Sequence, residues 1–160
     1  RSTHNKHHTR PPPDPLLRHL CRVIASILKA PNLPSRVAVV ERAVQLSDVF
    51  LETGNTFGMS SVLSAVQSFS IHRLSQTFEC LSPAATARIA HLRELLSFQG
   101  NFRNYRAWKA DAFASMKLCI PLLFPEVRDL TYFEEQSTVT ADTVNIAKLE
   151  DIYSTVKVWA

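Results

Sequence analysis

The stretch IPLLFPEVRDLTYFEEQ, residues 120–136, decides how the rest of the sequence is interpreted. Proline is tolerated in the first turn of a helix, where its missing N–H would have no partner, so Pro125 is predicted to start a helix. Apolar residues continue it at helical spacing: Val127, Leu130 and Phe133. The helix ends on Glu134 and Glu135, although negative charge at a helix C-terminus opposes the macrodipole. These carboxylates indicate either a role other than helix stability or an ordinary exposed acidic end.

Length and composition describe an ordinary globular domain. The chain has 160 residues, of which 46% are hydrophobic and 20% charged, enough for one domain with its own core. No apolar run approaches the roughly 20 residues of a membrane span, so direct membrane insertion is not expected. Three cysteines are odd in number and widely spaced, which indicates reduced thiols in a cytoplasmic protein. They are Cys21, Cys80 and Cys119.

The net charge of +4 is concentrated at the N-terminus. Residues 1–10 hold three basic side chains and no acidic one, and the rest of the chain has 15 basic and 14 acidic side chains. A nearly neutral body argues against a nucleic-acid-binding surface. The basic, proline-rich residues 1–15 are predicted to be a disordered linker, and residues 16–160 the folded domain. Histidines in the linker lack ordered carboxylate or cysteine partners, so no metal site is predicted.

The folded part is predicted to be helical throughout. Cap residues and the 3.6-residue period give four helices besides the one at Pro125. They are Leu16–Ala30, a helix capped by Ser35 that runs through Thr53 and stops at Gly54, one opened by Ser82-Pro83 and ended by Gly100, and Asp142–Ala160. No segment alternates as a strand would, so the fold class is all-α, an irregular helical bundle without a sheet.

The last two helices are predicted to form a hairpin, residues 121–160, that protrudes from the bundle. A turn at Gln136 to Thr140 joins them. The final helix carries an apolar stripe that would pack on the 125–135 helix: Leu149, Ile152, Val156 and Trp159. Since the chain begins on Arg1 and ends inside this helical pattern, we expect it to be part of a longer protein.

Residues 127–135, VRDLTYFEE, resemble the first hairpin helix in the catalytic domain of Ras-type guanine-nucleotide exchange factors, the CDC25-homology family. That helix typically reads Leu-Thr-Asp-Leu-Thr-Phe and then two acidic residues. Four further segments match in order, and NFRNYR matches the family's Asn-(Phe/Tyr)-x-x-Tyr-Arg throughout. They are RVAVV (36–40), NTF with VLSAVQ and IHRL (55–74), NFRNYR (101–106) and VNIAK (144–148). The resemblance is therefore to a partial domain that lacks the family's N-terminal helices.

The resemblance implies a mechanism in which the hairpin is a wedge. In the family, a small or apolar residue of the hairpin excludes Mg²⁺ and an acidic residue competes for the phosphate-binding groups. Thr131 and Glu135 match those positions and, at i and i+4, face the same way. Asp129 matches a polar position beside them. Gln67 and Phe102 would grip the second switch segment of the GTPase.

Four more residues enter the implied site. The resemblance gives Arg73 and Tyr105 a place in GTPase binding, and Asn145 and Lys148 a place in supporting the hairpin. For Arg73 a salt bridge inside the domain is equally open. Phe102 and Tyr105, at i and i+3 of a helix, are either an exposed interface pair or core residues, and for Tyr105 the core is favoured.

The implied function is guanine-nucleotide exchange on a Ras-family GTPase of the Ras, Rap or Ral type. The protein would be cytoplasmic, with membrane recruitment left to parts outside this chain. It needs no cofactor, because GDP, GTP and Mg²⁺ belong to the GTPase. Since no nucleophile–base set, phosphate loop or HExxH motif is present, it is a regulator without covalent chemistry of its own.

The alternative is a catalytically inactive module that binds a GTPase or an adaptor as a scaffold. Three departures from the family pattern favour it. Pro125 stands where a glycine is usual, and Gln136-Ser137 replaces a Gly-Asn turn. The first helix also lacks the family's Asn and Trp.

Overall fold

The computed structural model describes residues 15–115, 119–140 and 143–157. Within these ranges lie nine α-helices and one pair of very short strands, which confirms the all-α class. The helices are α1 Pro15–Leu28, α2 Leu33–Glu52, α3 Thr56–Val66, α4 Phe69–His72, α5 Ser75–Glu79, α6 Pro83–Leu95, α7 Arg103–Ser115, α8 Leu123–Glu135 and α9 Ile146–Val156. The strands are β1 Val139–Thr140 and β2 Thr143–Val144. Nearly all of the predicted linker, and Trp159 of the predicted stripe, lie outside the described residues.

The longest helix, α2, begins three residues earlier than predicted. Its cap is Asn32, whose side-chain oxygen accepts a hydrogen bond from the Ser35 N–H at 2.9 Å, so the prediction of Ser35 as the cap is wrong. An Asx cap satisfies one of the free N–H groups of the first turn, and Pro34 needs no such partner. At the other end, Gly54 adopts a positive φ of 74° and stops the helix as predicted.

The core lies where α1, α2, α3 and α6 meet. Its members are apolar side chains that are almost entirely removed from water, among them Ile27, Val40, Val44, Met59, Val62, Ile71 and Leu92. Beside this core, an ion pair and a hydrogen bond connect α2 to α6 and its cap. Asp48 forms an ion pair with Arg88, and Glu41 accepts a hydrogen bond from the Ser82 N–H at 2.9 Å. Hydrogen bonding from Ser82 keeps the pKa of Glu41 below its ordinary value.

The helix after Ser82 is shorter than predicted. Ser82 caps α6 by accepting a hydrogen bond from the Ala85 N–H, as its hydroxyl and the following proline indicate. However, α6 ends at Leu95, so the prediction that it continues to Gly100 is wrong. Residues 96–100 form an irregular segment that borders the site described below.

The base of the hairpin is tied to the body through the backbone. Ile120 pairs with the segment before α3: its N–H donates to Gly54 at 2.9 Å, and its carbonyl accepts from the Thr56 N–H at 3.0 Å and hydroxyl at 2.8 Å. Helix α8 then begins at Leu123, two residues before the predicted start at Pro125. No helix of the described residues is long and apolar enough to cross a membrane.

The tip of the hairpin corrects two predictions. β1 and β2 pair in antiparallel fashion, with Val139 opposite Val144 and Thr140 opposite Thr143, so the expectation of no strand fails at this one place. Consequently α9 starts at Ile146, four residues after the predicted Asp142, which lies outside the described residues. The four residues of these two strands are all β-branched, which favours a strand pair over a first helical turn.

The predicted stripe of α9 is only partly turned inward. Ile152 is half-buried, whereas Leu149 and Val156 are close to half exposed. The best-buried side chain of α9 is that of Lys148, a charged residue. A helix that buries a cation more deeply than its leucine and valine is held chiefly by polar contacts.

Candidate functional site

A groove of about 620 Å³ lies between α3, α6, the irregular segment after α6 and the start of α8. Its walls are mostly apolar, with a few polar groups at the rim. Residues of α3 and α6 line one side: Ser60, Leu63, Ser64, Gln67, Ala90, Arg93 and Glu94. Aromatic and leucine side chains line the other: Leu96, Phe98, Phe102, Leu122 and Phe124. An apolar concavity with few polar groups is the usual form of a binding site.

A left-handed turn shapes the aromatic wall. Gly100, Asn101 and Phe102 have φ of 57°, 56° and 59°, a conformation that glycine and asparagine tolerate and phenylalanine rarely adopts. The turn drives the Phe102 ring inward, where it is 2% exposed and packs edge-on against Phe98 and Phe124 at centroid distances of 4.9 and 5.8 Å. Of the two alternatives for Phe102, the exposed helical partner of Tyr105 is therefore wrong, because α7 begins at Arg103 and Phe102 lies before it.

The accessible aromatics of the groove are Phe98 and Phe124. They are 72% and 59% exposed, and their rings stand perpendicular at 6.4 Å. Sequence reasoning missed both. The available signal was weak, since an isolated phenylalanine after a helix and another before a proline are equally compatible with the core. Exposed aromatics above a buried ring form the kind of anchor found at interface hot spots.

Gln67, which lines this groove, has a side-chain donor without a partner in the described part of the chain. It is the C-cap residue of α3, and its backbone N–H bonds to Leu63. Its side-chain Nε2 is buried and has no hydrogen-bond partner among the described residues. Buried polar atoms are normally hydrogen-bonded, so an unpaired amide lining a groove is suited to a partner that supplies an acceptor.

Arg73 lies on the surface just after α4, and it is not among the residues that line the groove. The described part of the chain offers it no salt bridge, so the alternative of an internal ion pair has no support. The structure therefore leaves Arg73 as an exposed cation outside the groove.

Tyr105 belongs to the core, as the favoured interpretation held. It is fully buried, stacks on Trp108 at 6.4 Å, and its hydroxyl oxygen accepts a hydrogen bond from the Leu122 N–H at 2.7 Å. Burial raises its pKa to about 12. The expectation of a direct partner contact for Tyr105 is thus not met, because the ring instead holds the residue that precedes α8.

The outer face of α8 continues the groove. Thr131 and Glu135 line a shallow depression of about 350 Å³ together with Phe124, Val127, Arg128 and Tyr132. The two residues therefore share a face, as their i, i+4 spacing predicts. Because Phe124 lines both concavities, one surface runs from Gln67 through the aromatic rings to Glu135.

Asp129 does not join that face. Its carboxylate makes a two-pronged ion pair with Arg106 of α7, at 2.8 Å and 2.6 Å, and its side chain is only 17% exposed. Placing Asp129 in one contact set with Thr131 and Glu135 is therefore wrong in geometry. It lies two residues before Thr131, about 200° around the helix at 3.6 residues per turn, and so faces α7. One turn earlier, the buried Glu126 pairs with Lys109 at 2.6 Å, a contact that sequence reasoning missed.

Comparison with known proteins decides the family. The family model described as "RasGEF domain" matches residues 16–150, most of the chain. This chain belongs to the RasGEF domain family. Within the described ranges, no cluster of His, Cys, Asp or Glu side chains could hold a metal ion.

The curated relatives carry names of the same kind. A Dictyostelium discoideum protein called "Ras guanine nucleotide exchange factor W" is 31% identical over 81% of this chain and 11% of its own length. The Gallus gallus "Ras-specific guanine nucleotide-releasing factor RalGPS1" is 31% identical over 70% of the chain and 19% of its own. "Cell division control protein 25" of Candida albicans is 27% identical over 66% and 8%. The chain thus spans less than a fifth of these relatives.

In the RasGEF hairpin, Lys148 and Asn145 hold the end of α8 to the start of α9. The Lys148 ammonium donates to the carbonyls of Glu134 and Gln136 at 3.1 and 2.7 Å and to the Thr138 hydroxyl at 2.8 Å. A cation there satisfies free carbonyls at the end of α8 and complements the helix dipole. Asn145 caps α9 through the Lys148 N–H and donates from its amide to the Ser137 carbonyl.

Proposed function

We propose that this RasGEF domain promotes the release of GDP from a Ras-family GTPase by inserting its helical hairpin near the nucleotide. One observation carries the proposal: a single surface joins the apolar groove, through Phe124, to Thr131 and Glu135 on the hairpin. A binding groove and a projecting helix on one surface suit a partner that must be gripped and opened together. Family membership and the names of the relatives support the same function.

The groove would grip the second switch segment of the GTPase. The exposed rings of Phe98 and Phe124 offer anchors, and the unpaired Nε2 of Gln67 offers a donor for a backbone carbonyl of the partner. An interface with a few aromatic anchors and one directional hydrogen bond provides both affinity and register. Phe102 contributes from beneath, by fixing the two rings above it.

The hairpin would act on the nucleotide site. Small GTPases hold their nucleotide and Mg²⁺ through a phosphate loop and two switch segments that those ligands order. A protein can release the nucleotide only by binding the emptied state better than the loaded one. Glu135 would offer its exposed carboxylate to the phosphate-binding groups, and Thr131 would occupy the region of the Mg²⁺. Both GDP and Mg²⁺ belong to the GTPase.

The scaffold alternative loses support because the hairpin accommodates two of the three departures that suggested it, Pro125 and Gln136-Ser137. Pro125 lies within the first turn of α8, where a missing N–H costs nothing. The Gln136-Ser137 turn is bonded through the Gln136 carbonyl to Lys148 and through the Ser137 carbonyl to Asn145. With both helices intact, the working face of α8 is retained.

The deciding experiment is the release of fluorescently labelled GDP from Ras, Rap and Ral proteins, with this domain in its natural full-length protein. We expect acceleration for at least one GTPase, rising with the concentration of the exchange factor. Measurable binding to a GTPase without any acceleration would overturn the proposal in favour of a scaffold. A panel is needed because the described residues do not distinguish among the three types.

A further inference from the structure

We propose that Arg106 and Asp129 form a positioning pair that sets the angle of the hairpin relative to the groove. This inference rests on the proposed function and gives Asp129 a different role from Glu135. Asp129 would act inward, through Arg106, and would make no contact with the GTPase.

Arg106 joins two parts of the site with one guanidinium group. Its Nε donates to the carbonyl of Asn101, within the left-handed turn, at 2.7 Å. Its two terminal nitrogens bind the two carboxylate oxygens of Asp129 on α8. Because the guanidinium is planar and rigid, the turn that seats Phe102 and the helix that carries Glu135 are held in a defined mutual orientation.

A second ion pair reinforces this orientation. Lys109 lies three residues after Arg106 on α7, and its partner Glu126 lies three residues before Asp129 on α8. The crossed order means that the two helices run antiparallel, with basic groups on one and acidic groups on the other. Glu126 is 2% exposed, so its charge is compensated by Lys109 at short range. Two ion pairs fix the angle between α7 and α8, whereas one pair alone would permit α8 to rotate about it.

Asp129 stands at the point where α8 leaves the body. Among the described residues, no hydrogen bond or ion pair joins α8 beyond Asp129 to α7 or to the core helices. Glu135 lies six residues further, roughly 9 Å along the axis at 1.5 Å per residue. A tilt of about 10° at Asp129 would then move Glu135 by about 1.5 Å. Displacements of about 1 Å are enough to impair a positioned group.

The functional test is a double-mutant cycle in the full-length protein, with labelled-GDP release as the readout. The variants are Asp129→Asn, Arg106→Gln and the double substitution, with Asp111→Asn as the matched control, an exposed carboxylate on α7. We expect each single variant to lower the maximal release rate about tenfold with little change in the half-saturating GTPase concentration. The double variant should be no slower than either single one, because neighbours acting as a unit are not additive.

Additive effects in the cycle would overturn the proposal, since they would mean that Asp129 contacts the GTPase independently of Arg106. Thermal melting by circular dichroism checks that each variant is folded. If Arg106→Gln does not fold, Arg106→Lys replaces it, because lysine keeps the charge and loses the two-pronged geometry. Release rates equal to wild type for Arg106→Lys would also count against the pair.

A second measurement separates this proposal from the proposed function. Spin labels at Arg42→Cys on α2 and Glu150→Cys on α9, both exposed, report the distance between body and hairpin once the native cysteines are replaced. We expect Asp129→Asn to broaden the distance distribution and Asp111→Asn to leave it unchanged. An unaltered distribution would overturn the pair as a positioning device. If the wild type released no GDP from any GTPase, the proposed function would fail while this measurement still decided the role of Asp129.

Discussion

The helical body and the hairpin are each stabilised by a different kind of interaction. In the body, α2, α3 and α6 bury apolar side chains against one another, and residues such as Met59 and Leu92 have no exposed surface. In the described part of the hairpin, the buried residues of the two helices are Pro125, Glu126 and Lys148. Tyr132 and Tyr153 are more than 60% exposed. The hairpin depends on hydrogen bonds and ion pairs where the body depends on hydrophobic burial.

This contrast separates stability from function. Burial of apolar side chains is strongly stabilising but non-directional, so it suits a body whose role is to stay folded. Ion pairs and capping hydrogen bonds contribute less net stability but specify geometry, which a projecting helix needs. The exposed apolar surface of the hairpin is thereby left available to a partner. Four predictions test whether the separation is real.

The largest effect should appear when equivalent leucines are truncated in the two regions. Leu92→Ala in α6 removes a fully buried side chain, and we expect a loss of about 2–5 kcal/mol in the free energy of unfolding. Leu149→Ala in α9, where the side chain is 48% exposed, should cost less than about 0.5 kcal/mol. Chemical denaturation followed by circular dichroism measures both. Similar costs for the two variants would contradict the comparison.

Glu135→Ala should impair function without affecting stability. Loss of a charged contact made in the nucleotide-free complex is expected to slow GDP release ten- to hundredfold, or about 1.5–3 kcal/mol. The matched control is Glu134→Ala, an exposed neighbouring carboxylate that does not line the hairpin depression. Release assays and melting temperatures are compared for the two variants. Equal release by wild type and Glu135→Ala would remove this residue from the mechanism.

Lys148→Met should loosen the hairpin and spare the body. The substitution leaves the carbonyls of Glu134 and Gln136 without their donor, a local cost of about 1–3 kcal/mol. Hydrogen exchange should show faster exchange of the α9 amides and unchanged protection in α2. The exposed Lys157→Met is the control. Loss of protection throughout the chain would mean that hairpin and body unfold as one unit.

Phe98→Ala should weaken GTPase binding by removing an anchor from the groove. We expect the half-saturating GTPase concentration to rise about tenfold, equivalent to about 1.4 kcal/mol, with the maximal release rate nearly unchanged. Phe69→Ala is the control, because that ring is 83% exposed and does not line the groove. If both variants bind equally well, the groove is not the GTPase-binding surface. Phe102→Ala, in contrast, should mainly lower stability, since the ring is buried.

Local rules in the sequence were sufficient for the helical class and for some of the helix ends. Helical periodicity, the cap at Ser82 and the stop at Gly54 depend on neighbours within a few residues, and the structure has each of them. The shared face of Thr131 and Glu135 follows from helix geometry alone. Family membership was also readable from the residues. The segments that resemble the RasGEF family indicate it, and the family model matches residues 16–150.

Tertiary structure decided which way the side chains of the site point. Whether Phe102 faces solvent depends on a left-handed turn that no periodicity reveals, and whether Asp129 is free depends on Arg106, 23 positions earlier. The strand pair at the tip replaces a predicted helical turn because residues 139–140 and 143–144 pair with each other, a contact that helical periodicity does not report. Sequence patterns report periodicity within one element, whereas burial and ion pairing arise between elements. The family and the helical class were therefore determined by sequence, and the exposed and buried members of the site by packing.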